Sequence, residues 1–238
     1  MFNQQGNTEN HSGFMVPRAD FRASHFDTLI RQKGFRVIWQ QGMFCACANP
    51  DSGQPDYNCG SCKGKGYVYF GDTPTRVLVA SISGRKEQDT IGLDDIGGAY
   101  LTSLSTDNVG FRDRFVFQDF TMKYSEIVKF SGGVDALRYP ALDIIAVRRL
   151  DTEYRRGIDF ELSKDGKSLE WKNSTAMYDN QTYSVLYDTR PVYIAINPIH
   201  EMRGTYTLHK GRGEELFVVL PKQFQIRRED FIESDRSY

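Results

Sequence analysis

Residues 45–67 read CACANPDSGQPDYNCGSCKGKGY and contain all four cysteines of the 238-residue chain. The cysteines form two close pairs, Cys45 with Cys47 and Cys59 with Cys62, on either side of a loop rich in Gly, Pro, Asp and Asn. Closing this loop brings four thiolates together, which is the ligand set of a tetrahedral structural zinc ion. The spacing therefore predicts a zinc knuckle with four cysteine ligands and no open coordination position.

The second cysteine pair continues as Cys59-Gly-Ser-Cys62-Lys-Gly64-Lys-Gly66. We expect its glycines to permit tight turns beneath the metal ion, where a Cβ atom would clash. Zinc binding in such a knuckle supplies roughly 10–16 kcal/mol of folding free energy. That energy suffices to order a segment with almost no aliphatic residues.

Two other interpretations of the cysteines are open at this point. Two disulfides would form in an oxidising compartment, and Cys59 with Cys62 could act as a thioredoxin-like redox pair. The N-terminal residues lack the basic and apolar regions of a secretory signal, and no apolar run approaches the roughly 20 residues of a membrane span. We therefore expect synthesis in a reducing, intracellular compartment and no membrane association, which favours zinc over disulfides.

The composition is that of an ordinary globular protein without a convergent catalytic set. Thirty basic and 31 acidic residues leave a net charge of −1, so the chain as a whole does not attract nucleic acid. His200-Glu201 begins like a zinc-protease helix, but Gly204 occupies the place of the second histidine, so we expect a strand end or turn. Asp113 is interpreted as a solvated or turn-capping loop residue. The sequence thus predicts that the protein is not an enzyme.

Short runs rich in β-branched and aromatic residues recur through most of the chain, with turn signals about every ten residues. This pattern predicts a mainly β protein of β-barrel or β-sandwich modules, with a short N-terminal helix and the zinc-knuckle loop. We expect a flexible arm over residues 1–19, the helix and knuckle over 20–70, and a β-rich domain over 71–238. Two β modules divided near 135–150 are the alternative for the last part.

The N-terminal helix is predicted from its capping residues and its apolar face. Ser24 with Asp27 three residues on resembles a capping box, Ile30 lies on the apolar face, and Gly34 ends the helix. Further on, Gly66–Phe70 and Arg76–Ile82 are predicted as two strands.

Residues 160–171 read FELSKDGKSLEW and predict a β-hairpin. Asp165-Gly166 suits a two-residue type I′ turn, in which both central residues have positive φ. Pairing outward from that turn predicts a register with two apolar pairs, Leu162 opposite Leu169 and Phe160 opposite Trp171.

Two stretches resemble known families. Cys59-Gly-Ser-Cys62-Lys-Gly64-Lys-Gly66 is similar to one Cys-x-x-Cys-x-Gly-x-Gly half of the DnaJ-type chaperone zinc domain. The chain lacks that domain's four-fold repeat and the J-domain helix hairpin, so this similarity implies only the metal chemistry.

The wider resemblance is to structural proteins of tailed bacteriophages. FDTLIRQKGFRVIW at residues 26–39, leading into the cysteine stretch at 45–70, resembles the front of neck or head–tail connector proteins. The run at residues 154–196, from YRRGIDFEL to PVYIAI, resembles β-rich modules of phage connector, stopper and tail proteins.

This resemblance implies a structural virion protein, made in the host cytoplasm and assembled into the neck. It implies a homo-oligomeric ring, commonly six-fold, that joins a portal or adaptor ring to the tail proteins and helps to retain DNA, with incidental DNA contact. The knuckle would present Lys63, Lys65 and Tyr67 to an adjoining protein, and the arm and loop 83–98 would be docking elements. A tail or baseplate protein is the alternative, and a zinc-knuckle nucleic-acid-binding protein is the alternative from another class.

Overall fold

Antiparallel β-sheet makes up most of the computed structural model, which describes residues 23–62, 64–81, 97–172, 181–208 and 215–233. The described residues form two helices, α1 (Ala23–Lys33) and α2 (Glu229–Glu233), and fifteen strands. The strands are β1 (Phe35–Phe44), β2 (Tyr67–Ser81), β3 (Gly98–Thr102), β4 (Arg114–Phe117), β5 (Met122–Lys129), β6 (Val134–Ala136), β7 (Ala141–Arg149), β8 (Thr152–Tyr154), β9 (Phe160–Leu162), β10 (Ser168–Trp171), β11 (Thr182–Thr189), β12 (Val192–His200), β13 (Gly204–Leu208), β14 (Glu215–Val219) and β15 (Gln223–Arg228).

Six strands close into an antiparallel barrel in the order β1-β2-β3-β15-β12-β4. Alternate side chains of each strand point inward, because successive residues of a strand face opposite sides. The inward residues form one apolar core, which includes Val37, Trp39, Val77, Leu101, Phe115, Phe117, Ala195, Phe224 and Ile226. Closure removes the free edges that an open sheet would expose.

A β-sandwich is inserted between β4 and β12. Its two sheets, β5-β11-β7-β8 and β6-β10-β9, share a second core of Val128, Phe130, Val147, Phe160, Leu169, Trp171, Tyr183, Val185 and Tyr187, among others. The chain enters and leaves the sandwich at adjacent points, since Met122 pairs with Thr189. The prediction of a mainly β fold with barrel and sandwich modules is therefore confirmed, whereas the predicted domain boundaries stay a prediction.

Trp171 lies at the centre of the sandwich core and is anchored by a buried carboxylate. Its ring meets those of Phe130, Phe160 and Tyr183 at centroid distances of 5.2–5.7 Å. Its indole N–H donates to Oδ2 of Asp135 at 2.8 Å, and the Tyr183 hydroxyl donates to the same oxygen at 2.7 Å. Asp135 is 3% exposed, so this carboxylate joins the two sheets through hydrogen bonds made away from water.

The predicted hairpin has the predicted register and a different turn. Leu162 pairs with Leu169 and Phe160 with Trp171, as expected. The turn is closed by a hydrogen bond from Gly166 N–H to Ser163 O at 2.9 Å, and Gly166 has φ +70°. Lys164 and Asp165 are therefore the central residues, and the type I′ prediction was wrong because the glycine follows the turn as a left-handed residue.

The N-terminal helix ends where the sequence predicts. Gly34 N–H donates to Ile30 O at 2.8 Å, and a Cβ on Gly34 would lie 2.4 Å from that oxygen. The predicted capping role of Asp27 is replaced by a tertiary contact, because its carboxylate accepts hydrogen bonds from the backbone N–H and the hydroxyl of Ser105. These bonds fasten α1 to the barrel.

The two strands predicted over 66–70 and 76–82 are one continuous strand, β2. The glycine at position 71, with φ +74°, forms part of an irregularity in the pairing with β1, where the register shifts between Trp39 and Gln41. An irregularity of this kind bends a strand without ending it, which explains the difference from the prediction. The predicted arm over 1–19 and nearly all of loop 83–98 lie outside the described residues.

Strands β13 and β14 form a separate two-stranded antiparallel sheet. Tyr206 and Phe217 pair across it with ring centroids 5.1 Å apart. Neither described helix is long and apolar enough to cross a membrane.

We expect Asp135→Ala to destabilise the protein by about 3 kcal/mol or more, because it removes the buried acceptor of the Tyr183 hydroxyl and leaves the Trp171 N–H only its 3.3 Å contact with that hydroxyl. Urea unfolding followed by tryptophan fluorescence measures this loss. Asp143→Ala removes an exposed carboxylate from the same sandwich and should cost less than about 1 kcal/mol. Equal losses in the two variants would contradict the anchoring role of Asp135.

Candidate metal centre

The cysteine loop is carried by a two-stranded ribbon that extends from the barrel. The C-terminal half of β1 pairs with the N-terminal half of β2, ending with Phe44 opposite Tyr67. One more hydrogen bond, from Cys45 N–H to Gly66 O at 2.8 Å, closes the base of the loop. The cysteine loop therefore starts and ends at neighbouring residues of the ribbon.

The four cysteine Sγ atoms form a compact cluster. All lie within 4.8 Å of one another, with 3.7 Å between Cys45 and Cys59 and 3.5 Å between Cys47 and Cys62. A tetrahedral ion with metal–sulfur bonds of about 2.3 Å separates its ligands by about 3.8 Å. The cluster thus has the dimensions of a four-thiolate metal site.

The competing interpretations of the cysteines fit the structure less well. All four cysteines are free, so the two-disulfide alternative is not supported. Cys59 and Cys62 lie in turns and not at the start of a helix, the usual position of a thioredoxin-like pair. Cys45 and Cys62 are buried and the other two are half-buried, so the cluster is shielded on one side.

Turns capped by side chains shape the loop between the cysteine pairs. The Asn49 side chain accepts the N–H of Asp51 at 2.8 Å, and Asp56 accepts the N–H of Asn58 at 2.9 Å. Asn and Asp favour such turns because their side chains reach the backbone two residues on. Gly64 and Gly66 both have φ +80°, so the predicted need for glycine in this turn is confirmed there.

The thiols differ in acidity because their surroundings differ. Backbone N–H groups of Cys62 and Ser61 donate to the Cys59 sulfur and lower the pKa of Cys59 to about 6. Burial raises the pKa of Cys47 to about 12, and hydrogen bonds with the neighbouring thiols also raise it. A hydrogen bond with the backbone of Asp56 acts in the opposite direction and lowers the pKa. A bound cation would favour the deprotonated form of every thiol in the cluster.

Lys65 lies three residues after Cys62, and its side chain turns inward. Its ammonium donates to Oε1 of Glu229 at 2.9 Å, and the Arg114 guanidinium donates to Oε2 at 2.9 and 3.0 Å. The Glu229 side chain is fully buried, at 0% exposure, and belongs to α2. This ion triad joins the cysteine loop, barrel strand β4 and the C-terminal helix.

The triad perturbs its own protonation equilibria. Burial alone would raise the pKa of Glu229, but attraction to Arg114 and Lys65 outweighs it, so the net shift is downward. Burial lowers the pKa of Lys65, against the attraction of Glu229.

The two other residues predicted to bind a partner are Tyr67 and Lys63. Tyr67 is half-buried, with its ring 4.8 Å from the Phe44 ring and the Arg112 guanidinium 5.1 Å from its centroid. Lys63 lies outside the described residues. The role of Lys63, Lys65 and Tyr67 in partner binding stays a prediction, with the Lys65 charge engaged inside the protein.

Asp113 positions the backbone beside the ribbon, a role that its sequence context did not reveal. It is buried, and its carboxylate accepts hydrogen bonds from Trp39 Nε1 at 2.7 Å, Gly42 N at 3.0 Å and Gly110 N at 2.8 Å. The turn-capping interpretation is therefore confirmed and the solvated one was wrong. The next residue back, Arg112, has φ +68°, a strained backbone for a non-glycine residue.

His200 ends β12 and Glu201 lies in the following bend, as expected from the sequence.

No protein-family model matches the chain, and no curated protein is significantly similar to it. The fold and the cluster therefore define its class by themselves: a mainly β protein, a barrel with an inserted sandwich, that has a four-cysteine site suited to a structural metal.

We expect the purified protein to hold one metal ion per chain, and removing it should loosen the cysteine loop, because the loop has few apolar side chains to order it. Amide hydrogen exchange over residues 45–62 should accelerate by about a hundredfold or more with a chelator, while β11 stays protected. Elemental mass spectrometry gives the metal content. Cys62→Ala should exchange rapidly with or without the chelator. Metal-free wild type whose exchange is unchanged by added Zn²⁺ would contradict the assignment.

Replacing Glu229 by Gln should destabilise the protein by about 3–5 kcal/mol, because two partly buried cations lose their counter-charge. Since the folded pKa of Glu229 lies below its ordinary value of 4.5, its stabilising effect is present above about pH 4.5 and lost as the pH falls through the folded pKa. Urea unfolding between pH 3 and 7 should show this loss in wild type and not in Glu229→Gln. Glu170→Gln, at an exposed site, is the control and should behave like wild type.

Proposed function

We propose that the cysteine cluster holds a structural zinc ion and that the protein is a non-enzymatic virion component of a tailed phage. On this proposal it forms part of the neck, in a homo-oligomeric ring between a portal or adaptor ring and the tail. Its work is assembly, in which folded subunits bury apolar and aromatic surface against their neighbours.

The choice of zinc rests on ligand chemistry. Four thiolates at tetrahedral spacing suit zinc or iron, and zinc needs no redox partner to stay bound in a structural site. All four ligand positions are supplied by the protein, so the ion would hold the loop in shape and would not bind a substrate. Zinc loading would leave the protein colourless, whereas an iron–thiolate centre absorbs visible light.

The assembly proposal is carried by a row of stacked side chains beside the cluster, here named the knuckle surface: Phe44, Tyr67, Arg112 and Phe111. The Arg112 guanidinium lies 5.1 Å from the Tyr67 ring and 5.2 Å from the Phe111 ring, and Phe44 packs on Tyr67. Phe44 is 67% exposed and Phe111 50% exposed. Within the described residues, Nε of Arg112 is buried without a hydrogen-bond partner.

Such a surface has the composition of a protein–protein contact. Aromatic residues, Met and Arg are enriched in the centres of interfaces, and they contribute most of the binding energy. The opposite face of the ribbon adds Met43 and Phe70, which are 53% and 48% exposed. The ribbon therefore offers apolar surface on both sides, as a subunit between two neighbours requires.

The phage setting comes from the resemblance of residues 26–39, 45–70 and 154–196 to connector, stopper and tail proteins. A tail or baseplate location uses the same assembly chemistry and is separated from the neck only by where the protein sits in the particle. Nucleic-acid binding through the knuckle is less well supported, because Lys65 is already paired with Glu229.

The proposal predicts a ring-sized oligomer that depends on the knuckle surface. Phe44→Ser with Phe111→Ser should shift the metal-loaded protein to monomers, because the change removes exposed aromatic anchors without touching a core. The control is Val134→Ser with Ile158→Ser, two exposed apolar residues of the sandwich, which should leave the oligomer intact. Analytical ultracentrifugation gives the masses, and labelling in purified particles gives the location. Wild-type protein that stays monomeric and is absent from particles would contradict the proposal.

A further inference from the structure

A groove lies at the end of the barrel opposite the cysteine loop, and four arginines line it. The arginine groove has a volume of about 610 Å³, and its charged lining consists of Arg31, Arg36, Arg76, Arg190 and Asp107. Arg31 comes from the last turn of α1, Arg36 and Arg76 from paired strands β1 and β2, and Arg190 from the connection between the sandwich and the barrel. Separate parts of the fold thus bring these cations to one opening.

Most of these guanidinium groups have no carboxylate partner. Arg36 is paired with Asp119, at 2.6 Å from its Nε and 2.8 Å from its backbone N–H. Arg76 donates to the carbonyl oxygen of Gly34 at 3.1 Å, and Arg190 donates to the backbone and side-chain oxygens of Gln118. Within the described ranges, the side chain of Arg31 forms no hydrogen bond or ion pair. Three of the four arginines therefore form no ion pair with a carboxylate among the described residues.

The groove is positive even when its acids are counted. Asp107 lies in the lining and accepts a hydrogen bond from Thr75 Oγ1 at 2.5 Å, and Asp119 lies beside Arg36. The four arginines and these two carboxylates, all among the described residues, together carry a formal charge of +2. Like charges held in one groove repel one another, and an anion would relieve that repulsion.

We propose that the arginine groove binds phosphate groups. A phosphate offers several oxygens to more than one guanidinium fork at once, and the planar fork of arginine matches phosphate geometry. Arginine is also less strongly hydrated than lysine, which suits it to a groove with apolar walls. Ile38, Pro74 and Leu104 supply those walls, so a phosphate joined to an organic group fits better than a fully solvated ion.

The source of the phosphate follows from the proposed function, on which this part of the inference rests. A neck protein meets packaged double-stranded DNA, whose backbone presents one phosphate per nucleotide. The groove begins near Arg36, at the start of β1, while the cysteine loop follows its end, and the ten residues of β1 span about 30 Å. A subunit could therefore contact DNA at one end and a protein neighbour at the knuckle surface.

The test uses full-length, metal-loaded protein and a labelled 20-base-pair DNA duplex, with binding followed by fluorescence anisotropy. Arg31→Gln with Arg190→Gln should weaken binding by about tenfold or more and reduce the slope of log K against log salt by about 2. Arg155→Gln with Lys164→Gln removes the same charge from exposed turns of the sandwich and should change affinity less than twofold. DNA binding that is equally strong in the groove variant would overturn the proposal.

Competition experiments distinguish the possible anions. Displacement of DNA by inorganic pyrophosphate supports phosphate recognition, and pyrophosphate binding without any DNA binding would assign the groove to a small phosphate. Poly-glutamate that displaces DNA better than pyrophosphate at equal charge would overturn the phosphate assignment. The oligomer mass of the groove variant distinguishes failure of the groove proposal from failure of the assembly proposal. This mass should equal that of wild type even when DNA binding is lost.

Discussion

The carboxylate of Glu229 is shared by Lys65 and Arg114 in a position closed to solvent. Removing a carboxylate from water is costly, and only close cations with good geometry recover that cost. The three residues come from the cysteine loop, from β4 and from α2, which are far apart in the sequence. Removing the carboxylate would therefore leave two partly buried cations without a counter-charge, whereas removing either cation would leave the buried carboxylate with one partner instead of two.

A metal ion at the cysteine cluster would add a second constraint on the cysteine loop to the one that the ion triad provides. The Sγ cluster would fix the loop internally, whereas Lys65 fastens its end to the barrel. Neither constraint substitutes for the other, because a loop with few apolar residues has no core of its own. Asp113 adds a third constraint by holding the ribbon at Gly42 against the strained backbone of Arg112.

The parts of the structure that depend on local patterns were predictable. The cysteine spacing predicts the cluster, alternating residues predict the 160–171 hairpin register, and Gly34 predicts the end of α1. The predicted turn type was wrong because a single glycine suits both a central position of a type I′ turn and the left-handed position that follows another turn. Nothing local predicts the ion triad of Glu229 or the bonds that Asp113 accepts from Trp39 and Gly42, since these partners lie more than 70 residues away in the sequence. Barrel closure likewise depends on pairing between distant strands, such as β4 with β12.

The insertion of the sandwich has a consequence for how this architecture can vary. Its first and last strands are paired at Met122 and Thr189, and Phe117 N–H donates to Pro191 O at 3.0 Å just outside that point. The barrel therefore continues into the sandwich through a junction two strands wide, at which Val192 of β12 also packs in the sandwich core. A sandwich of another size, or a short turn in its place, could occupy the junction without altering barrel register. In this architecture the inserted module can therefore change in size while the pairing of the barrel strands stays the same.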